Sequence, residues 1–188
     1  MKKHLIIGLG NIGAEYANTR HNIGFKILDA LAESSNISFS PNRYAETSSL
    51  KIKGRTVVLI KPSTYMNLSG KALCYYLQSE KVDLENALVV TDDIALPFGT
   101  LRMRTKGSDG GHNGLKHIIQ TTNSTHFPRI RFGVGNEFSK GKQVDYVLGN
   151  WSTEEEEKLK ERIKKCLEMI KSFVSIGPTH TMTAFNGK

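Results

Sequence analysis

Three short apolar runs, Leu5 to Leu9, Val57 to Ile60 and Leu88 to Val90, constrain this chain more than any other feature. A strand with one wet face alternates polar and apolar residues, whereas one that is apolar throughout has to be covered on both sides. Helical patterns intervene between the runs. Ile23, Ile27, Ala30 and Leu31 form a stripe; Leu73, Tyr76 and Leu77 do so from about Ser69 to Glu80, and Leu115, Ile118 and Ile119 from Asn113 to about Thr121. Strands alternating with helices predict a buried, largely parallel sheet in an α/β fold. At 188 residues the chain suffices for one sizeable core, so one domain over 1–188 is expected.

Two further strands alternate. Leu101-Arg-Met-Arg-Thr105 and Arg129-Ile-Arg-Phe-Gly-Val134 place Arg102, Arg104, Arg129 and Arg131 on faces opposite Leu101, Met103, Ile130, Phe132 and Val134, which predicts a wet, basic face. A long C-terminal helix is predicted from Ser152, an N-cap with Glu155 as its capping-box partner, to the Gly177-Pro178 stop. Its stripe runs Leu159, Ile163, Cys166, Leu167, Ile170, Phe173 and Val174, leaving its lysines on a solvated face. The 26 Lys and Arg against 18 Asp and Glu give a net charge of +8, compatible with a polyanionic partner. Cys74 and Cys166 are expected as core thiols in a reducing compartment. Neither a secretory apolar segment nor a run of membrane-spanning length occurs, which predicts a soluble cytoplasmic protein.

Gly8-x-Gly10-x-x-Gly13 after Leu5-Ile-Ile7 matches a dinucleotide-binding pattern, but that motif needs a helix opening at its third glycine. Residues 14–22 lack helical periodicity, and Asp29 lies inside a helical stripe instead of ending a second strand. A nicotinamide site is therefore disfavoured. Ser108 is not in a Gly-x-Ser-x-Gly elbow, Ser69-Gly-Lys71 lacks the rest of a phosphate loop, and His112 with His117 is a poor helical metal pair. No metal and no cofactor are expected.

What remains is a set of polar residues where strands end: Asn11, His21 and Asn22 after the first run, Asn67 after Pro62-Ser-Thr-Tyr-Met66, Asp92 after Leu88-Val-Val-Thr91, and Asn113 in Gly110-Gly-His-Asn-Gly114. In open α/β sheets the ligand crevice lies at the carboxyl ends of strands, where such loops meet. A histidine titrating near 6.5 can take a proton from water, and a carboxylate on its other nitrogen fixes its tautomer. His21 with Asp92 or Asp93 would form that pair. The same aspartates also suit turn caps, and Asn67 suits a cap for the helix near Ser69.

Gly8-Leu-Gly-Asn-Ile-Gly-Ala-Glu-Tyr-Ala-Asn-Thr-Arg-His-Asn-Ile-Gly24, Lys61-Pro-Ser-Thr-Tyr-Met-Asn-Leu-Ser-Gly70, Asp92-Asp-Ile-Ala-Leu-Pro97 and Gly110-Gly-His-Asn-Gly-Leu115 closely resemble bacterial peptidyl-tRNA hydrolases, in order and over nearly the whole chain. The resemblance implies a single α/β domain with a mixed, largely parallel sheet flanked by helices on both faces. It implies a monomer without metal or cofactor that cleaves the ester joining a peptide to the 3′ end of tRNA. On this resemblance His21 is the general base, Asp92 its support, and Asn11 the group distinguishing a blocked from a free amino group. Tyr16 and Tyr65 contact the substrate end of the tRNA, Asn67 and Asn113 bind it and help place water and carbonyl, and Arg102, Arg104 and Arg131 grip phosphates. Ile12 stands where proline is customary and Ala95 where a second carboxylate is usual; the first is expected to loosen the loop carrying Asn11. A non-catalytic RNA-binding module would use the same arginines without needing His21.

Overall fold

A computed structural model describes residues 2–188. The three apolar runs become β1 (His4–Gly8), β4 (Arg55–Pro62) and β5 (Ala87–Asp93), and β1 lies between the other two, parallel to both. The sheet also contains β2 (Ser40–Asn42), β3 (Ala45–Ile52), β6 (Leu101–Arg104) and β7 (Arg129–Gly133), in the order β2-β3-β4-β1-β5-β7-β6. Only β3 and β6 run against the common direction.

Successive residues of the inner strands feed opposite cores, which is why these strands carry no polar alternation. Ile6, Leu59, Leu88 and Val90 pack with α1 (Ile23–Ser34) and α5 (Thr153–Ile176), whereas Leu5, Ile7, Ile60 and Val89 pack with α2 (Ser69–Ser79) and α3 (Asn113–Thr122). The predicted C-terminal stripe is buried, and Ser152 and Glu155 complete their capping box. Two short helices complete the chain: α4 (Gln143–Val147) and α6 (Pro178–Phe185). No helix among the described residues is long and apolar enough to cross a membrane.

The glycines of the first loop have a packing role. A side chain on Gly8 would collide with the Gly24 carbonyl, one on Gly24 with the backbone of Leu9, and one on Gly10 with the Phe25 ring. Helix α1 thus crosses the end of β1 almost backbone to backbone, and it begins at Ile23, well after Gly13. Two 3-10 turns, Ala14–Tyr16 and Arg20–Asn22, occupy the interval where a dinucleotide-binding helix would run. This placement lifts residues 9–22 over the carboxyl end of β1.

The expected wet basic face needs correction at Arg129. It is 2 % exposed and donates to the carbonyls of Gly107, Ser108, Thr125 and Phe127 while lying over the Phe127 ring. Burial foremost, then the neighbouring Arg131, pushes its pKa down to about 10. Arg129 therefore fastens the loop before α3 to the start of β7, while Arg104, its partner across the ladder, is exposed.

Candidate active site

The segments after β1, β4, β5, β6 and β7 surround a cavity of about 330 Å³. Its lining includes Asn11, His21, Tyr65, Asn67, Asp92, Asn113 and Arg131, so seven of the ten residues singled out in the sequence meet there. The other three, Tyr16, Arg102 and Arg104, lie outside the lining. Tyr16 is half-buried at the end of the first 3-10 turn, and Arg102, also half-buried, faces Arg131 across the β6-β7 ladder.

Asp92 is 3 % exposed and bonds two imidazoles. Nδ1 of His21 lies 2.8 Å from Oδ2, and Nε2 of His112 lies 2.7 Å from Oδ1. The proton positions follow from the surroundings. Nδ1 of His112 caps α3 by accepting from the backbone N–H groups of Gly114 and Leu115, so its ring proton must sit on Nε2, facing Asp92. Nδ1–H of His21 donates to the other oxygen, leaving the Nε2 lone pair of His21 unshared on the cavity side. Burial would raise the Asp92 carboxyl, but the charges and hydrogen bonds of the two histidines outweigh it and hold the group well below the usual carboxylate range. For His21 burial lowers the pKa, yet the charge and hydrogen bond of Asp92 leave it raised above 6.5.

His112 is the member of this cluster that sequence reasoning missed, having weighed it only as a metal ligand. Its available signal was position: a histidine between a glycine pair and the first helical residue can cap the helix. His21, Asp92 and His112 bring their ligand atoms within 4.8 Å of one another. Those atoms already face each other as donors and acceptors, and a cation between them would require His112 to give up its helix-capping tautomer. His117 faces elsewhere, accepting from the N–H of Gly70 at the start of α2.

Asn11 is held from two sides. Its backbone N–H donates to Oδ1 of Asn22 at 2.8 Å, its carbonyl accepts from Nδ2 of Asn22 at 3.0 Å, and its own Oδ1 accepts from the N–H of Met66 at 2.7 Å. The last bond fixes the amide orientation, so Nδ2 is the group Asn11 has left to offer. Both its backbone polar groups are clasped by Asn22, which ties the residue before Ile12 to the 3-10 turn that carries His21. Asn67 lies exposed in the 3-10 turn Met66–Leu68 and makes no cap to α2; the Ser69 hydroxyl bonds the Met66 carbonyl instead. Asn113 is the exposed first residue of α3. The two aspartates divide the tasks that spacing alone left open: Asp93 accepts from the Ala95 N–H and pairs with Arg131, while Asp92 holds the histidines.

A family model described as peptidyl-tRNA hydrolase matches residues 5–188. The chain is 56 % identical over 186 residues to a peptidyl-tRNA hydrolase of Cytophaga hutchinsonii, covering 99 % of each chain. It is 55 % identical to one of Phocaeicola vulgatus, covering 99 % of this chain and all of that one. Among solved structures, the crystal structure of peptidyl-tRNA hydrolase from Acinetobacter baumannii superposes with a TM-score of 0.92 at 33 % identity, covering 98 % of this chain and 95 % of that one.

Proposed function

The chain belongs to the peptidyl-tRNA hydrolase family, and from that premise we propose that it frees tRNA by hydrolysing the ester between a peptide, or an N-blocked aminoacyl group, and the tRNA 3′ end, with His21 as general base. The observation that carries this reading is the unshared Nε2 of His21, on a ring anchored at Nδ1 by a buried carboxylate and facing a cavity ringed by amides. As the water oxygen attacks the ester carbonyl carbon, Nε2 takes its proton and Asp92 stabilises the resulting imidazolium. Collapse of the tetrahedral intermediate breaks the bond to the ribose oxygen, which leaves with the proton returned from His21. The products are a peptide carboxylate and a free 3′ hydroxyl.

Asn67 and Asn113 supply amide donors for the oxygen that gains negative charge. Asn11 supports discrimination by the amino group. Its free Nδ2 is a donor, which an amide carbonyl of a blocked substrate can accept, whereas a free ammonium offers only further donors and a charge. Tyr65 provides a ring face at the cavity rim for the terminal nucleotide, and Tyr16 a contact outside the lining. Arg131 at the cavity, with Arg102 and Arg104 on the neighbouring strand, takes tRNA phosphates without reading sequence.

The test compares purified N-acetylaminoacyl-tRNA with its unblocked counterpart, using the parent protein and His21→Ala. Cleavage of the blocked form, falling by about 10² to 10⁴ in a folded His21→Ala protein, is expected; near-normal turnover by that variant refutes the general-base assignment.

A further inference from the structure

The residue immediately before His21 is built into a second network that faces away from the reacting atoms. The backbone N–H of Arg20 donates to the Gly149 carbonyl at 3.0 Å. Its Nη1 donates to the Tyr146 carbonyl at 3.1 Å, its Nη2 bonds Oε1 of Glu155 at 2.8 Å, and its guanidinium lies 4.2 Å from the Tyr146 ring centroid. The side chains of Arg20 and Glu155 are only 12 % and 14 % exposed, so this charge pair is little screened. Glu155 cannot swing away freely, because the same Oε1 accepts from the N–H of Ser152 in the α5 capping box. Tyr146 is pinned as well, its hydroxyl donating to the Val134 carbonyl at 2.6 Å.

These contacts bracket the catalytic ring. On one side of His21, Thr19 bridges Asn150 and Arg20 is fixed to the junction of α4 with α5; on the other, Asn22 clasps Asn11. Helix α4 and the residue after it supply Gln143, Val144, Val147 and Leu148 to the wall of the same cavity. We propose that Arg20 is a positioning residue that couples the seating of α4 against the substrate to the alignment of His21 on Asp92. Arg20 touches no substrate in this scheme; it acts through the 3-10 turn Arg20–Asn22, which has no buried apolar side chain of its own to fix it. The inference rests on His21 being the general base.

A staple that served stability alone would lower the melting temperature and leave the chemistry of the folded enzyme intact. Arg20→Met, which keeps an apolar stem and removes the polar contacts, is therefore measured well below its melting temperature. The expected result is a kcat reduced about 10- to 100-fold, the scale of a misplaced reacting group, with KM within about twofold of the parent. The NMR titration of the His21 ring should move to lower pH as its contact with Asp92 loosens. Arg20→Lys should recover part of kcat. Glu155→Gln, which preserves a capping-box acceptor but removes the charge, should shift both readouts in the same direction by less. Parent-like kcat and His21 titration in Arg20→Met overturn the proposal, and if that variant does not fold, the same result in Glu155→Gln does so. Failure of the general-base reading is separately visible, since His21→Ala would then stay active while the titration still reports whether Arg20 holds the ring.

Discussion

Replacing Asp92 by asparagine should do more than remove a charge, because the two histidines impose opposite demands on the new amide. Both now donate N–H to a carboxylate oxygen, and asparagine keeps only one oxygen. His112 cannot change tautomer without abandoning the Gly114 and Leu115 N–H groups, so it claims that oxygen. His21 then faces the NH₂ end and must present its Nδ1 lone pair, which moves its proton to Nε2 and leaves no base in the cavity. The reversed amide would set NH₂ against the His112 N–H, leaving that donor the Thr91 hydroxyl, 2.8 Å from Nε2, as its remaining acceptor; the hydrogen bond lost costs about 0.5–1.5 kcal/mol, or roughly 2- to 13-fold in population. A general base contributes about 10² to 10⁴ overall, so Asp92→Asn should lose at least about twofold in kcat from the tautomer bias alone and up to about 10⁴ if the unproductive tautomer dominates. Single-turnover hydrolysis of N-acetylaminoacyl-tRNA measures this. The tautomer argument makes a sharper claim: His112→Ala, harmful in the parent through loss of a helix cap and a carboxylate partner, should raise the activity of Asp92→Asn by releasing its oxygen to His21. If His112→Ala lowers activity equally in both backgrounds, competition for one oxygen is not the cause.

The pH dependence follows from the same site. The unprotonated His21 is the active form and its pKa is raised, so kcat/KM should climb with pH through a midpoint above 6.5, and Asp92→Asn should move that midpoint below 6.5 because burial then acts alone; a parent midpoint below 6.5 contradicts the assignment. The raised pKa also makes the pair's contribution to folding full below pH 6.5 and lost as pH climbs through the folded value, which urea midpoints in the parent and in His21→Ala can resolve. Arg104→Ala should weaken tRNA binding and reduce the salt slope by about one with unchanged stability, whereas Arg129→Met should cost about 2–5 kcal/mol in denaturant titrations by stranding buried carbonyls. Gly8→Ala should destabilise by several kcal/mol or fail to fold, as its methyl meets the Gly24 carbonyl; a parent-like melting temperature would show that α1 can retreat from β1 freely.

The parts of this molecule legible in its sequence are those where one local pattern has one physical cause. Continuous apolar runs gave the inner strands, three-to-four spacing gave α1, α2, α3 and α5, and Ser152 with Glu155 gave the start of α5. β2 and β3 escaped notice because they form an edge hairpin whose exposed residues, such as Ser40, Pro41 and Glu46, follow no buried periodicity. α6 was hidden behind Gly177-Pro178, which stops α5 and also opens the next helix; its following residue Asn186 bonds both backbone groups of Met103 and so closes the free edge of β6. Arg129 was misplaced since alternation reveals which face a residue shares but not whether a loop covers that face. The site divides along the same line. Strand ends and loops brought Asn11, His21, Asn67, Asp92 and Asn113 to one cavity, whereas the choice of Asp92 over Asp93, the bond of His112 to Asp92 and the commitment of the Asn11 oxygen to Met66 each depend on a hydrogen bond between residues at least 20 positions apart or on which way a side chain leaves the sheet. Residue types and their places along a chain can therefore nominate a base and a carboxylate. Which nitrogen of His21 carries the proton, and so whether a base exists at all, is decided by the Asp92 carboxylate some seventy positions away, which accepts at Nδ1 and cannot donate.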